Sequence, residues 1–63
     1  MKEWRITVQS YLSNNSDYAE YDVYYITANT KEEAKAMLLE YLGVDENNSK
    51  DGVIYNIYHT EEC

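Results

Sequence analysis

One cysteine, two glycines and no phenylalanine occur in the 63 residues, and five Lys and Arg face twelve Asp and Glu. The lone thiol, Cys63, can form no internal disulfide, which fits a reducing compartment. With two glycines there is no Gly-rich phosphate loop and little chain from which to shape a concave substrate pocket. Nucleic-acid binders cluster their cations to displace phosphate counterions, but Lys2, Arg5, Lys31, Lys35 and Lys50 are scattered among more numerous carboxylates. Direct nucleic-acid binding is therefore not expected, and the net charge of −7 also opposes docking on an anionic membrane. No apolar run approaches the ~20 residues that span a bilayer. Met1-Lys2-Glu3-Trp4-Arg5 lacks the apolar stretch of a secretion signal, so the expected location is the cytoplasm. His59 and Cys63 are the one imidazole and the one thiol, too few for a zinc site without carboxylates or a second subunit. Nothing accompanies them to orient a nucleophile or hold an oxyanion. No enzyme activity, catalytic residue, metal or cofactor is assigned.

What the chain has in excess is tyrosine: Tyr11, Tyr18, Tyr21, Tyr24, Tyr25, Tyr41, Tyr55 and Tyr58, with Trp4 the ninth aromatic. Trp4, Ile6, Val8 and Leu12 alternate with Arg5, Thr7 and Gln9, the period of a half-buried strand over about residues 3–12. Ser13-Asn14-Asn15-Ser16-Asp17 is turn chemistry, and a second strand follows over about 18–27. Ala19, Tyr21, Val23 and Tyr25 share one face of it, while Ile26 and Ala28, suited to face a helix, are out of phase with them. Either a bulge near Tyr24-Tyr25 resets the phase or both faces are apolar. Thr30-Lys31-Glu32-Glu33 reads as a capping box, opening a helix over about 31–42 whose stripe is Ala34, Met37, Leu38, Tyr41 and Leu42, stopped by Gly43. Val44 to Gly52 reads as a polar loop and residues 53–60 as a third strand, with Val53, Tyr55 and Ile57 on one face and Ile54, Asn56 and Tyr58 on the other.

The expected fold is one α+β domain over residues 1–63, ordered ββαβ. It has a three-stranded mixed sheet in the order 2-1-3 and one helix packed on one face. A chain this short buries only about 60% of the surface its unfolded form exposes, and one helix covers one sheet face. The other face carries some of Tyr11, Tyr21, Val23, Tyr25, Ile54 and Tyr58, the bulge deciding which of them point outward. An apolar patch of that kind marks an interface, and the expectation is a homodimer through this face or through an open sheet edge.

The carboxylates admit two readings. As a scattered, solvated surface they serve solubility. Alternatively Glu20 and Asp22 on strand two, with Asp45, Glu46 and Asp51 in the loop before strand three, imitate rows of phosphates and offer a basic nucleic-acid-binding cleft a false ligand, steered by charge and weakened by salt. Tyrosine suits such a surface, since it adds rigid area and a hydrogen-bonding tip. A third reading uses loop 45–51 as a metal site, because Asp45, Asn47, Ser49 and Asp51 alternate like the start of a calcium loop. Lys50 and Asn56, however, stand where such a loop needs Gly and Glu.

A single acidic, Tyr-rich domain of this size without a catalytic constellation resembles, at the level of class, the small counter-defence inhibitors that bacteriophages encode against host nucleases, helicase-nucleases and CRISPR effectors. The resemblance covers the whole chain and transfers no binding residue. It implies a non-enzymatic inhibitor in the host cytoplasm whose partner is a basic nucleic-acid-processing protein; the alternative is a small accessory or regulatory protein with incidental acidity. Ile26-Thr27-Ala28 followed by Glu32-Glu33-Ala34 is also similar to small ββαβ ribosomal-type modules, as a fold analogy.

Overall fold

In the computed structural model, which describes residues 1–63 apart from the side chain of Ser16, the alternation around Trp4, Ile6 and Val8 becomes strand β1 (Lys2–Leu12) at the heart of the sheet. Strand β2 (Asn15–Ala28) runs along one side of it and strand β4 (Val53–Glu62) along the other, with the two-residue β3 (Ser49–Lys50) outside β4. The order is β2-β1-β4-β3 and every adjacent pair is antiparallel. The expected three-stranded mixed sheet is thus corrected to four antiparallel strands. β2 and β4 point the same way, but β1 lies between them, so no parallel ladder forms. The extra strand comes from Asp51-Gly52, both at positive φ (54° and 80°), the geometry of a two-residue hairpin turn. It folds Ser49-Lys50 onto Ile54 and Val53, where a loop was expected.

Directly opposed residues share a sheet face. Trp4, Ile6 and Val8 oppose Ile26, Tyr24 and Asp22 in an unbroken register that runs from Lys2 with Ala28 to Tyr11 with Ala19. β2 therefore has no bulge at Tyr24-Tyr25, and its two faces both carry apolar side chains. The register with β2 shifts only at the hairpin end, where Leu12 opposes Asn15, and a second irregularity lies in β4: Thr7 opposes His59 and Val8 opposes Ile57, leaving Tyr58 as the extra residue. β2 also begins earlier than expected, because the turn needs only Ser13 and Asn14.

Helix α1 (Lys31–Leu42) starts as the capping box requires: the Thr30 hydroxyl accepts from the Glu33 amide at 3.1 Å. The Glu33 carboxylate reaches back one residue further than expected, accepting from the Asn29 amide at 3.1 Å. Gly43 ends the helix at φ 73°, its amide donating to the Leu39 and Glu40 carbonyls. Ala34 and Leu38 are buried and Leu42 half-buried, whereas Met37 and Tyr41 are exposed. A helix lying on a single sheet touches it along a narrow line, and the i, i+4, i+8 row takes that line. Tyr41 instead stacks edge-to-face on Tyr24, with ring centroids 6.3 Å apart.

The buried core is Trp4, Ile6, Val8, Ala28, Ala34 and Leu38, fringed by Tyr24, Ile26, Leu42, Tyr55 and Ile57. The Trp4 indole N–H donates to the Ala28 carbonyl at 3.1 Å, which satisfies a polar group that would otherwise be buried without a partner. A 12-residue helix is about 18 Å long, but the molecule extends 38 Å. The helix therefore covers the half of the sheet around Trp4 and Ala28. The other half, toward Leu12, Tyr18 and Val53, is bare on both sides.

Candidate functional site

Two surfaces stand out. The first is the sheet face opposite the helix. The register places Tyr11, Tyr21, Val23, Tyr25 and Ile54 on it; Tyr58 follows Ile54 and Asn56 onto the same face, where its ring meets that of Tyr21 edge-on at 5.2 Å, and the bulge adds His59, opposite Thr7. All six candidates for this face thus lie on it, and Tyr21, Val23, Tyr25 and Tyr58 are more than half exposed. Between these rows runs a short polar chain: Gln9 Nε2 donates to the Tyr21 hydroxyl at 2.9 Å, and Asn56 Nδ2 to Gln9 Oε1 at 3.5 Å. At the end nearest the chain termini Arg5 is paired with Glu61, and His59 Nε2 lies 3.9 Å from the same carboxylate.

The second surface is acidic and lies on the helix side of the bare half. Glu20 and Asp22 oppose Ser10 and Val8, so they project on the core side of β2, at the sheet edge. Among the described residues neither takes part in an ion pair, whereas Lys2, Arg5 and Lys35 are held by Glu62, Glu61 and Glu32. Glu20 borders a shallow depression of about 270 Å³ lined also by Ser10, Tyr11, Leu12, Tyr18 and Val53. Composition did not single out Leu12 and Tyr18 for this surface. The signal was the helix length, since 12 residues cannot reach the hairpin end of strands this long. Asp22 acts on its neighbour too: burial first, and then the negative charge of Asp22, Tyr41 and Tyr55, push the Tyr24 hydroxyl above its ordinary pKa of 10.0.

The other three expected acids are not in that row. Asp51 sits in the β3–β4 turn, on the opposite edge of the sheet from β2, three strand spacings or about 14 Å away. Asp45 is turned into its own loop, its carboxylate accepting from the Asn47 amide at 2.8 Å and the Ser49 amide at 3.0 Å, while its backbone pairs with Ser49 and Asn48. Both side-chain bonds fall on Oδ1, and that oxygen shapes the approach to β3. Glu46 is exposed beside it. Among the described residues no group of three or more His, Cys, Asp or Glu side chains gathers as a metal site. Cys63 is exposed, its amide tied to the Glu3 carbonyl at 2.9 Å. No helix among the described residues is long and apolar enough to cross a membrane.

The bare half therefore offers the Glu20 carboxylate beside apolar and aromatic side chains, with Lys50 across the sheet opposite Val53, and the carboxylate end can seat a Lys or Arg side chain by ion pairing and by contact with a tyrosine face. No protein-family model, curated protein or solved structure matches the chain.

Proposed function

We propose that this protein is a non-enzymatic inhibitor that binds a basic, nucleic-acid-processing protein, a nuclease or helicase-nuclease, and occludes the surface on which that enzyme takes its nucleic acid. The observation that carries the reading is the pairing pattern of the charges. Three of the five cations are tied to carboxylates, while Glu20, which lines the depression beside Leu12 and Tyr18, and Asp22, two residues further along β2, stand without an ion-pair partner among the described residues. A carboxylate next to apolar and aromatic surface holds a guanidinium more strongly than one in open water, because both charges are partly desolvated on contact. The overall charge of −7 adds long-range attraction toward a basic cleft and raises the association rate. Such small proteins, of the kind bacteriophages deploy against host defences, need only this binding and no chemistry of their own.

The test is affinity capture from bacterial lysate at low and high salt, with the wild-type chain beside a Glu20→Lys/Asp22→Lys double variant. The reading predicts capture of a nucleic-acid-processing enzyme that weakens with salt and is lost with the charge reversal. Failure to capture such an enzyme, or capture indifferent to both salt and the variant, refutes it.

A further inference from the structure

We propose that the open sheet face is covered by a second copy of this chain, the two sheets packing face to face about a two-fold axis with the helices on the outside. The charge distribution favours this occupant. Two chains of −7 repel everywhere that carboxylates lie, but the three rows of the face that contain Thr7, Gln9 and Tyr11 hold no carboxylate among the described residues. In the next row Arg5 stands opposite Glu61 and is paired with it, so the two charges of that row offset each other. This is the surface on which like copies meet at least electrostatic cost, and a basic partner has nothing there to be drawn to.

The size of the molecule allows it: an outline of 38 × 20 Å, at most on the order of 760 Å², approaches the roughly 800 Å² that each partner contributes to a standard interface. Packed sheets stand about 10 Å apart and need interdigitating side chains, which Tyr21, Val23, Tyr25 and Tyr58 supply. The polar groups at the centre come prepared for burial, since Gln9 already joins Tyr21 and Asn56 and loses less on dehydration than unpaired amides would. The competing route, edge-to-edge pairing of β2, would set Asp17, Glu20 and Asp22 of one copy against those of the other, the arrangement that charged edge strands prevent. The inference is independent of the acidic surface and its target.

Light scattering on the eluting protein at micromolar concentration should give twice the 7.4 kDa chain mass. In a mixture of isotope-labelled and unlabelled wild-type chains, NMR contacts between subunits should join the Tyr21, Val23, Tyr25 and Tyr58 side chains. Val23→Lys places an unpaired charge in the interface and should weaken the dimer by at least ~100-fold, while Glu20→Lys/Asp22→Lys leaves it intact. A wild-type monomer, or intersubunit contacts between β2 backbones, overturns the proposal. The wild-type measurements decide the matter even if Val23→Lys fails to fold.

Discussion

Leu38 and Met37 are neighbours in one helix and both belong to its apolar stripe as read by spacing, yet Leu38 is 0% exposed and Met37 44%. Truncating each to alanine isolates what the seating of α1 is worth. Leu38 packs into the cluster of Trp4, Ile6, Val8, Ala28 and Ala34, so Leu38→Ala removes buried methyl groups and leaves a cavity, at a cost of about 2–5 kcal/mol. At the usual 0.05–0.15 kcal/mol per residue, a chain of this length has about 3–9 kcal/mol in total, so the substitution consumes much of it. In a domain this small each kcal/mol moves the midpoint by about 4–8 °C, and the fall should be about 10–30 °C. Met37→Ala lies off the contact line and should cost less than about 1 kcal/mol. Circular dichroism melts and urea titrations check both, at one fixed protein concentration because association shifts the midpoint. If Met37→Ala loses as much as Leu38→Ala, or Leu38→Ala stays within about 1 kcal/mol of wild type, the helix is not seated on the i, i+4, i+8 row.

Two further predictions concern the turn and the tyrosines. Gly52 sits at φ 80° with nothing within 4 Å of an added Cβ, so Gly52→Ala should cost about 1–2 kcal/mol through the backbone alone, read as a lower urea midpoint, while Asp51→Asn, at φ 54°, should be nearly silent. The Tyr24 hydroxyl titrates above 10.0 in the folded state. The folded chain therefore holds this proton longer than the unfolded one, and the contribution is complete below pH 10 and is lost as pH rises from there through the raised value. Stability measured by urea should fall across that alkaline window more steeply for wild type than for Tyr24→Phe, and tyrosinate absorbance should show one late-titrating group that the variant lacks.

Much of the fold follows from local rules. The helix bounds follow from Thr30 and Gly43 because capping is settled within a few residues, and β1 follows from the alternation about Ile6. The two-residue strand β3 was also legible, in Asp51-Gly52, since few other dipeptides accept two positive φ values in succession; the surrounding polar residues hid it. The β4 bulge was not legible. Nothing in Ile57-Tyr58-His59 distinguishes a regular strand from a bulged one, and only pairing with Thr7 and Val8 decides it. Similarly, Met37 and Tyr41 satisfy the helical period, and only the narrowness of the contact with one sheet leaves them outside. Of the candidate surfaces, the Tyr-rich face could be read from period 2. The acids could not be grouped, because which edge of the sheet a residue occupies depends on strand order.

The mismatch between an 18 Å helix and a 38 Å sheet also bears on motion. Backbone amides in β1 near Ile6, under the helix, should open to solvent only when the whole domain unfolds, whereas those near Tyr11, Ala19 and Ile54 have no layer over them on the helix side and should exchange through small local openings. The protein is thus graded along one axis, from a stiff end where its two termini meet to a yielding end at the hairpin tips. Its acidic depression lies at the yielding end, where a partner could reshape it without disturbing the core.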